Sequence, residues 1–323
     1  MRLTEEQAAD LAARLLNGGK FKAERFGAGK FSEVFAVKGA DREYVLRVAP
    51  EDDVRQIFYE YRMMRQEPAI HCRLKAETSV PVPEILAHDF SRKTIARDFL
   101  IMPRLPGTPL SEVRLQRAPM ERAFREWGGY VRQIHGIAEP QNRFGYVGEH
   151  RCMEPQASWR DAFLVMYRKL LDDIASCGVY DERTADLAFE LVRQHSAVFE
   201  HCTVSRLCHG DLWITNLLVM PDGHVTGVLD FDRACWGDIE WDLAIAEYCS
   251  VTRSPFWEGY GTQVQTATGD AAIRRFFYLL YEHQKYIVIS ISSRRNDPHR
   301  ARRYATECLN RMEHFRRTGQ PIF

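Results

Sequence analysis

The stretch His209-Gly210-Asp211-Leu212-Trp213-Ile214-Thr215-Asn216, with Leu229-Asp230-Phe231 beyond it, sets three proton- or metal-handling groups along one segment. The Asp211 carboxylate can accept the proton of an attacking hydroxyl. Asn216 can offer an amide oxygen to a divalent metal, and Asp230 a carboxylate to metal that bridges ATP phosphates. These are the groups that phosphoryl transfer needs. Asn216 to Met220 and Val225 to Leu229 are short apolar runs joined by Pro221-Asp222-Gly223-His224. The proline presets φ and the glycine permits φ > 0, so the spacing predicts a hairpin that brings Asn216 and Asp230 side by side. A hairpin merely capped by turn-forming Asp and Asn would carry the same residues, and upstream motifs weigh against it.

The elements that position this chemistry begin near the amino end. Phe26-Gly27-Ala28-Gly29-Lys30-Phe31-Ser32-Glu33-Val34-Phe35 has the form G-x-G-x-x-S-x-V between strand-like runs at Phe21 to Phe26 and Val34 to Val37. Gly27 and Gly29 would let backbone amides approach phosphates, and Ser32 would add a hydroxyl. A third strand, Glu43 to Val48, carries Arg47 where a kinase carries its phosphate-pairing lysine. Arginine keeps the charge with a longer, forked geometry. A helix is expected over Val54 to Arg65, with Glu60 placed to pair with that cation; Glu51 and Glu67 lie at its edges. Asp98 to Pro103 then reads as a strand entering a Pro/Gly-rich connection. There the Pro103 carbonyl would accept from adenine and the Leu105 N–H would donate to it.

In this order, GAGKFSEVF, YVLRV, VPVPEIL, FLIMPRLPG, CHGDLWITN and VLDFDRACWGDIEWDLA resemble the aminoglycoside phosphotransferase family, the small-molecule branch of the protein-kinase-like superfamily, from about Phe21 to Ala246. The resemblance implies an α+β, bilobal protein-kinase-like fold: an antiparallel sheet lobe over residues 1–104 binds nucleotide, and a mainly helical lobe over 105–323 carries catalysis and acceptor binding. It also implies ATP and Mg2+ as cofactors. Asp238 and Asp242 would cap a helix and brace the catalytic loop, with His209 as a further support.

Composition agrees with a folded enzyme. The chain has 323 residues, 45% hydrophobic and 27% charged, with zero formal net charge, which argues against nucleic-acid or membrane-surface partners. Eight cysteines stand without C-x-x-C or metal spacing, as free thiols in a reducing cytosol would. Thr4 with Gln7 forms a capping box for a helix through Leu16. Further helices are expected over Met120 to His135, Ser158 to Cys177, Asp181 to Phe199, Leu243 to Val251, Ala271 to Ile291 and Asp297 to Arg317.

The expected partner is a hydroxylated small molecule, either an aminoglycoside-type antibiotic or a related amino or hydroxylated metabolite. Glu240, Glu247, Glu258, Asp270 and Glu282 are candidate ligands for its amines, and Trp236, Trp241, Phe256 and Trp257 either cap a sugar ring or pack in the core. Choline, homoserine and sugars are alternative acceptors. A protein kinase is disfavoured by the short interval from Asp230 to Asp242 without A-P-E. A regulatory nucleotide-binding pseudokinase is raised only by Arg47. Oligomeric state is not legible.

Overall fold

The computed structural model describes residues 2–26, 32–51, 56–264, 268–292 and 295–323. Gly27 and Gly29 of the expected phosphate loop lie outside them. The chain divides into two compact units: Met1–Val54, Arg62–Ala123 and Thr215–Asp232 form one; Arg55–Tyr61, Phe124–Ile214 and Arg233–Phe323 form the other.

The first unit is built on the helix α1 (Glu5–Leu15) and an antiparallel sheet of β1 (Lys22–Arg25), β2 (Glu33–Lys38), β3 (Glu43–Val48), β4 (Ala87–Asp89) and β5 (Phe99–Pro103), in the order β1-β2-β3-β5-β4. Thr4 and Gln7 close the expected capping box on α1. Strand alternation sends Phe35, Val37, Leu46, Val48, Phe99 and Ile101 to one face, where they bury against Ala8, Leu11 and Ala12 of α1. Leu100 and Met102 face the other way, onto Ala49 and Met64. Each such large apolar side chain contributes about 2 kcal/mol on burial. The expected hairpin is present as Leu217–Val219 against Val225–Val228, with Thr108–Pro109 as a third strand. Gly223 turns it at φ 82°, where a Cβ would lie 2.0 Å from the Pro119 carbonyl oxygen, so only glycine fits.

The helix expected over Val54 to Arg65 is not formed by its described part. Phe58–Glu60 and Met63–Gln66 are separate 3-10 turns, and the helix α2 begins only at Glu67 and runs to Glu77. Aromatic Phe58, Tyr59 and Tyr61 lose rotamer freedom in a helix. Glu60 turns its carboxylate back onto the Ile57 N–H at 3.0 Å, and Arg62 adopts a left-handed φ of 55° that ends the run. Pro68, harmless in a first turn, sits just inside α2.

The second unit is mainly helical. Trp159–Ser176, Glu182–Gln194, Ile239–Tyr248, Ser254–Tyr260, Gly269–Ile291 and Pro298–Thr318 are its own helices, and Arg117–Gly136 supplies residues from Phe124 on. Ser158, Asp181 and Asp297 each accept a first-turn N–H as N-caps. Phe163, Tyr167, Leu170 and Ile174, spaced three or four apart, bury one face of Trp159–Ser176 against Phe277, Tyr278 and Tyr281. Trp241 and Phe256 are core residues and Trp236 is buried, as the packing alternative required; Trp257 is half-buried. Among the described residues, no helix is long and apolar enough to cross a membrane.

Candidate active site

In the second unit, strands Arg206–Cys208 and Cys235–Gly237 pair antiparallel with Cys208 opposite Cys235. The chain on either side therefore carries Asp211 and Arg233 to one place. Gly210, at φ 76°, makes the close approach possible: a Cβ there would stand 2.2 Å from the Arg233 carbonyl oxygen. Arg233 reaches Asp211 Oδ1 at 3.4 Å and Glu60 Oε1 at 3.2 Å. The Phe58 N–H donates to Asp173 Oδ2 at 2.7 Å, which anchors the Phe58–Glu60 turn to the helix Trp159–Ser176.

The loop before Asp211 is held from below by Asp242. This fully buried carboxylate accepts the His209 N–H at 2.7 Å, the Gly210 N–H at 2.9 Å and His135 Nε2 at 3.0 Å. Tyr260 meets His135 on its other nitrogen at 2.9 Å. Burial alone would raise the Asp242 pKa, but the hydrogen bonds from His135 and Gly210 outweigh it and hold the carboxyl below its ordinary value. The Asp211 N–H donates to His209 Nδ1 at 3.2 Å. Asp238 caps the helix Ile239–Tyr248 and accepts from Tyr278 Oη at 2.6 Å. The bracing and capping roles that the family resemblance implied for Asp242, His209 and Asp238 are thus present in the hydrogen bonds.

In the first unit, the Leu229 N–H donates to the Asn216 carbonyl at 2.9 Å, so the hairpin sets Asn216 and Asp230 at adjoining strand ends. Asp230 adopts φ 69°, a left-handed conformation that few non-glycine residues take. The cation pairing departs from expectation. Arg47 does not pair with Glu60: one terminal nitrogen meets both Glu67 oxygens at 2.7 Å, and the other meets Asp230 at 2.8 Å and Asp232 at 3.1 Å. The late start of α2 is the reason, because it makes Glu67 the first residue of the helix and leaves Glu60 with Arg233. Burial pushes the Glu67 pKa up, with Arg47 opposing and Asp230 adding to the rise. Asp232 was not singled out from the sequence; its place two residues after Asp230 was the available signal. Ser32 is buried just before β2, and Pro103 pairs with Tyr44 at the end of β5. Leu105 follows Arg104, whose N–H donates to the Glu43 carbonyl at 3.0 Å.

Of the proposed amine ligands, three are taken by arginines: Glu240 by Arg274, Glu247 by Arg275 and Glu258 by Arg125. Asp270 lies in the first turn of its helix. Glu282 differs. It is buried, with Lys285 on one oxygen at 2.5 Å and the other oxygen without a hydrogen-bond partner among the described residues. Burial raises its pKa against the pull of Lys285 and Arg233, and the negative charge of Asp211 adds to the rise. Lys285 also lies over the rings of Tyr59 and Tyr281, at 5.7 and 5.9 Å, whose hydroxyls are buried without hydrogen-bond partners among the described residues.

Residues 22–280 match the family model described as "Phosphotransferase enzyme family". A protein named "Probable ketoamine kinase" from Vibrio parahaemolyticus is 26% identical over 275 residues, 80% of this chain and 83% of the relative. Another of that name from Vibrio cholerae is 27% identical over 248 residues, 73% and 76% of the two chains. Among solved structures, a thermostable mutant of aminoglycoside phosphotransferase APH(4)-Ia in ternary complex with AMP-PNP and hygromycin B is similar in fold, with a TM-score of 0.61 at 18% identity over 92% of this chain and 94% of that one. The family match covers most of the chain and falls on the motifs that carried the resemblance, so the protein belongs to the phosphotransferase enzyme family.

Proposed function

We propose that the protein transfers the γ-phosphoryl group of ATP to a hydroxyl of a small, amine-bearing polyol, with a ketoamine as the leading acceptor class. The observation that carries this reading is Asp211 held on a loop whose two preceding N–H groups both end on buried Asp242. A carboxylate fixed in this way is suited to take the acceptor hydroxyl's proton as the oxygen attacks phosphorus. Gly27, Gly29 and Ser32 would cover the phosphates, and Pro103 and Leu105 would receive adenine. Asn216 and Asp230 offer the hard oxygen donors that suit Mg2+, and the Asp230 side chain keeps 36% exposure beside Arg47. Magnesium, when bound, supplies charge neutralisation at the phosphate oxygens. The remainder is positioning.

The ketoamine assignment draws on the two relatives' names and on Glu282. With Glu240, Glu247 and Glu258 engaged by arginines and one oxygen of Glu282 by Lys285, these acids suit a polycation poorly. The test is ADP release from Mg-ATP with a 1-amino-1-deoxyketose, hygromycin B, choline, homoserine and simple sugars offered in turn. Turnover restricted to the ketoamine supports the assignment. Turnover with hygromycin B alone replaces it with antibiotic modification.

A further inference from the structure

In the protein-kinase motif D-F-G the third position is glycine; here it is Asp232, whose side chain is only 5% exposed. Glu67, Asp230 and Asp232 bring carboxylate oxygens within 4.8 Å of one another, the geometry of a cation site. The cation in that site is the chain's own Arg47. Its two terminal nitrogens divide the work, one taking both oxygens of Glu67 and the other taking Asp230 and Asp232. A lysine's three donors radiate from a single nitrogen on a shorter stem, so it does not reproduce this two-nitrogen division of the contacts. The main chain of the acid pair is fixed as well, because the Gln66 side-chain amide donates to the Asp232 carbonyl and Asp230 holds its left-handed φ.

We propose that Asp232 is a positioning residue of the nucleotide site and forms a matched pair with Arg47. Asp232 holds the second guanidinium nitrogen, and that nitrogen sets how Asp230 presents its carboxylate to the metal–nucleotide complex. The third carboxylate and the arginine are one device: the fork spreads over three acids, and the third acid keeps its second nitrogen on Asp230. This rests on the nucleotide-site reading above. It carries a counterintuitive consequence. Arg47→Lys, which puts back the residue that kinases carry, weakens nucleotide binding while Asp232 remains, because one ammonium leaves buried carboxylates facing each other.

The experiment is calorimetric binding of AMP-PNP, with and without Mg2+, to wild type, Arg47→Lys, Asp232→Asn and the double variant. Thermal unfolding of each without ligand monitors folding. Each single change is expected to lower Mg-AMP-PNP affinity about tenfold, and the double variant far less than the hundredfold that independent sites would give. Multiplicative losses overturn the pairing. So does an Asp232→Asn protein whose melting temperature falls while its affinity and Mg2+ dependence stay at wild-type values, since that places Asp232 in the scaffold only. If Asp232→Asn folds poorly, Asp232→Gly, which restores the kinase motif, is read in the same cycle by the same criteria. Wild type that binds no AMP-PNP defeats the nucleotide-site reading itself, and the proposal with it; binding wild type with multiplicative losses defeats the proposal alone.

Discussion

Both carboxylate oxygens of Glu67 accept from one terminal nitrogen of Arg47, each at 2.7 Å, whereas Glu60 accepts from Arg233 at 3.2 Å. The two glutamates therefore serve different ends of the proposed reaction. Glu67→Gln should raise the KM for ATP about tenfold, the usual scale for weakening a hydrogen-bonded buried charge pair. Glu60→Gln should leave that KM near wild type and lower kcat through Arg233 and Asp211. Steady-state kinetics with ATP varied would separate them, and the reverse pattern would return Glu60 to the nucleotide site.

Asp242 is the post on which the Asp211 loop stands. Asp242→Asn keeps the shape but loses the charge and at least one of the acceptor positions that meet His209, Gly210 and His135. A loss of about 2–4 kcal/mol in stability is expected, the range for breaking a buried charged hydrogen-bond network. Chemical denaturation would measure it. A change below about 0.5 kcal/mol, the scale of ordinary surface substitutions, would contradict the bracing role.

Glu240 supplies a pH dependence with a defined sign. Burial raises its pKa, but hydrogen bonds from His201 and Arg274 prevail and bring it from 4.5 down to about 2. The group's contribution is fully present above pH 4.5 and is lost as pH falls toward 2. Melting temperature should therefore decline with acid across that window, and Glu240→Gln should flatten part of the decline. Parallel curves for the two proteins would remove Glu240 from the account.

Gly223 makes the hairpin that carries Asn216 and Asp230. Alanine there combines a φ of 82° with a Cβ 2.0 Å from the Pro119 carbonyl oxygen. Gly223→Ala should cost about 2–3 kcal/mol, as backbone strain and overpacking together do. Denaturant midpoints would show it, and an unchanged midpoint would mean that the turn relaxes freely.

The sequence made most elements legible because their signals were local. Thr4 and Gln7 announce α1, Ser158 announces its helix, and the Pro221 to His224 turn announces a hairpin. The failure lay where local pattern and tertiary packing disagree. The apolar spacing of Ile57, Phe58, Tyr61 and Met64 fits a helix, yet Asp173 and Glu60 capture the backbone N–H groups there and α2 starts at Glu67. One shifted helix reassigned the partner of Arg47. Asp232 is a related case: it stands two residues after Asp230, but its contact with Arg47 spans 185 residues of sequence, which no local window reveals. Similarly, Glu240, Glu247 and Glu258 looked like Glu282 until their arginines were in place.

The most direct test of the central claim is transfer of labelled γ-phosphate from Mg-ATP to a 1-amino-1-deoxyketose by wild type and by Asp211→Asn, with AMP-PNP binding measured on both. The account predicts acceptor-dependent label in the wild-type product, a loss of at least about a hundredfold in the variant, as removal of a general base gives, and AMP-PNP affinity unchanged between them. Equal transfer by the variant, or wild type that binds AMP-PNP yet labels none of the offered small molecules, would contradict it.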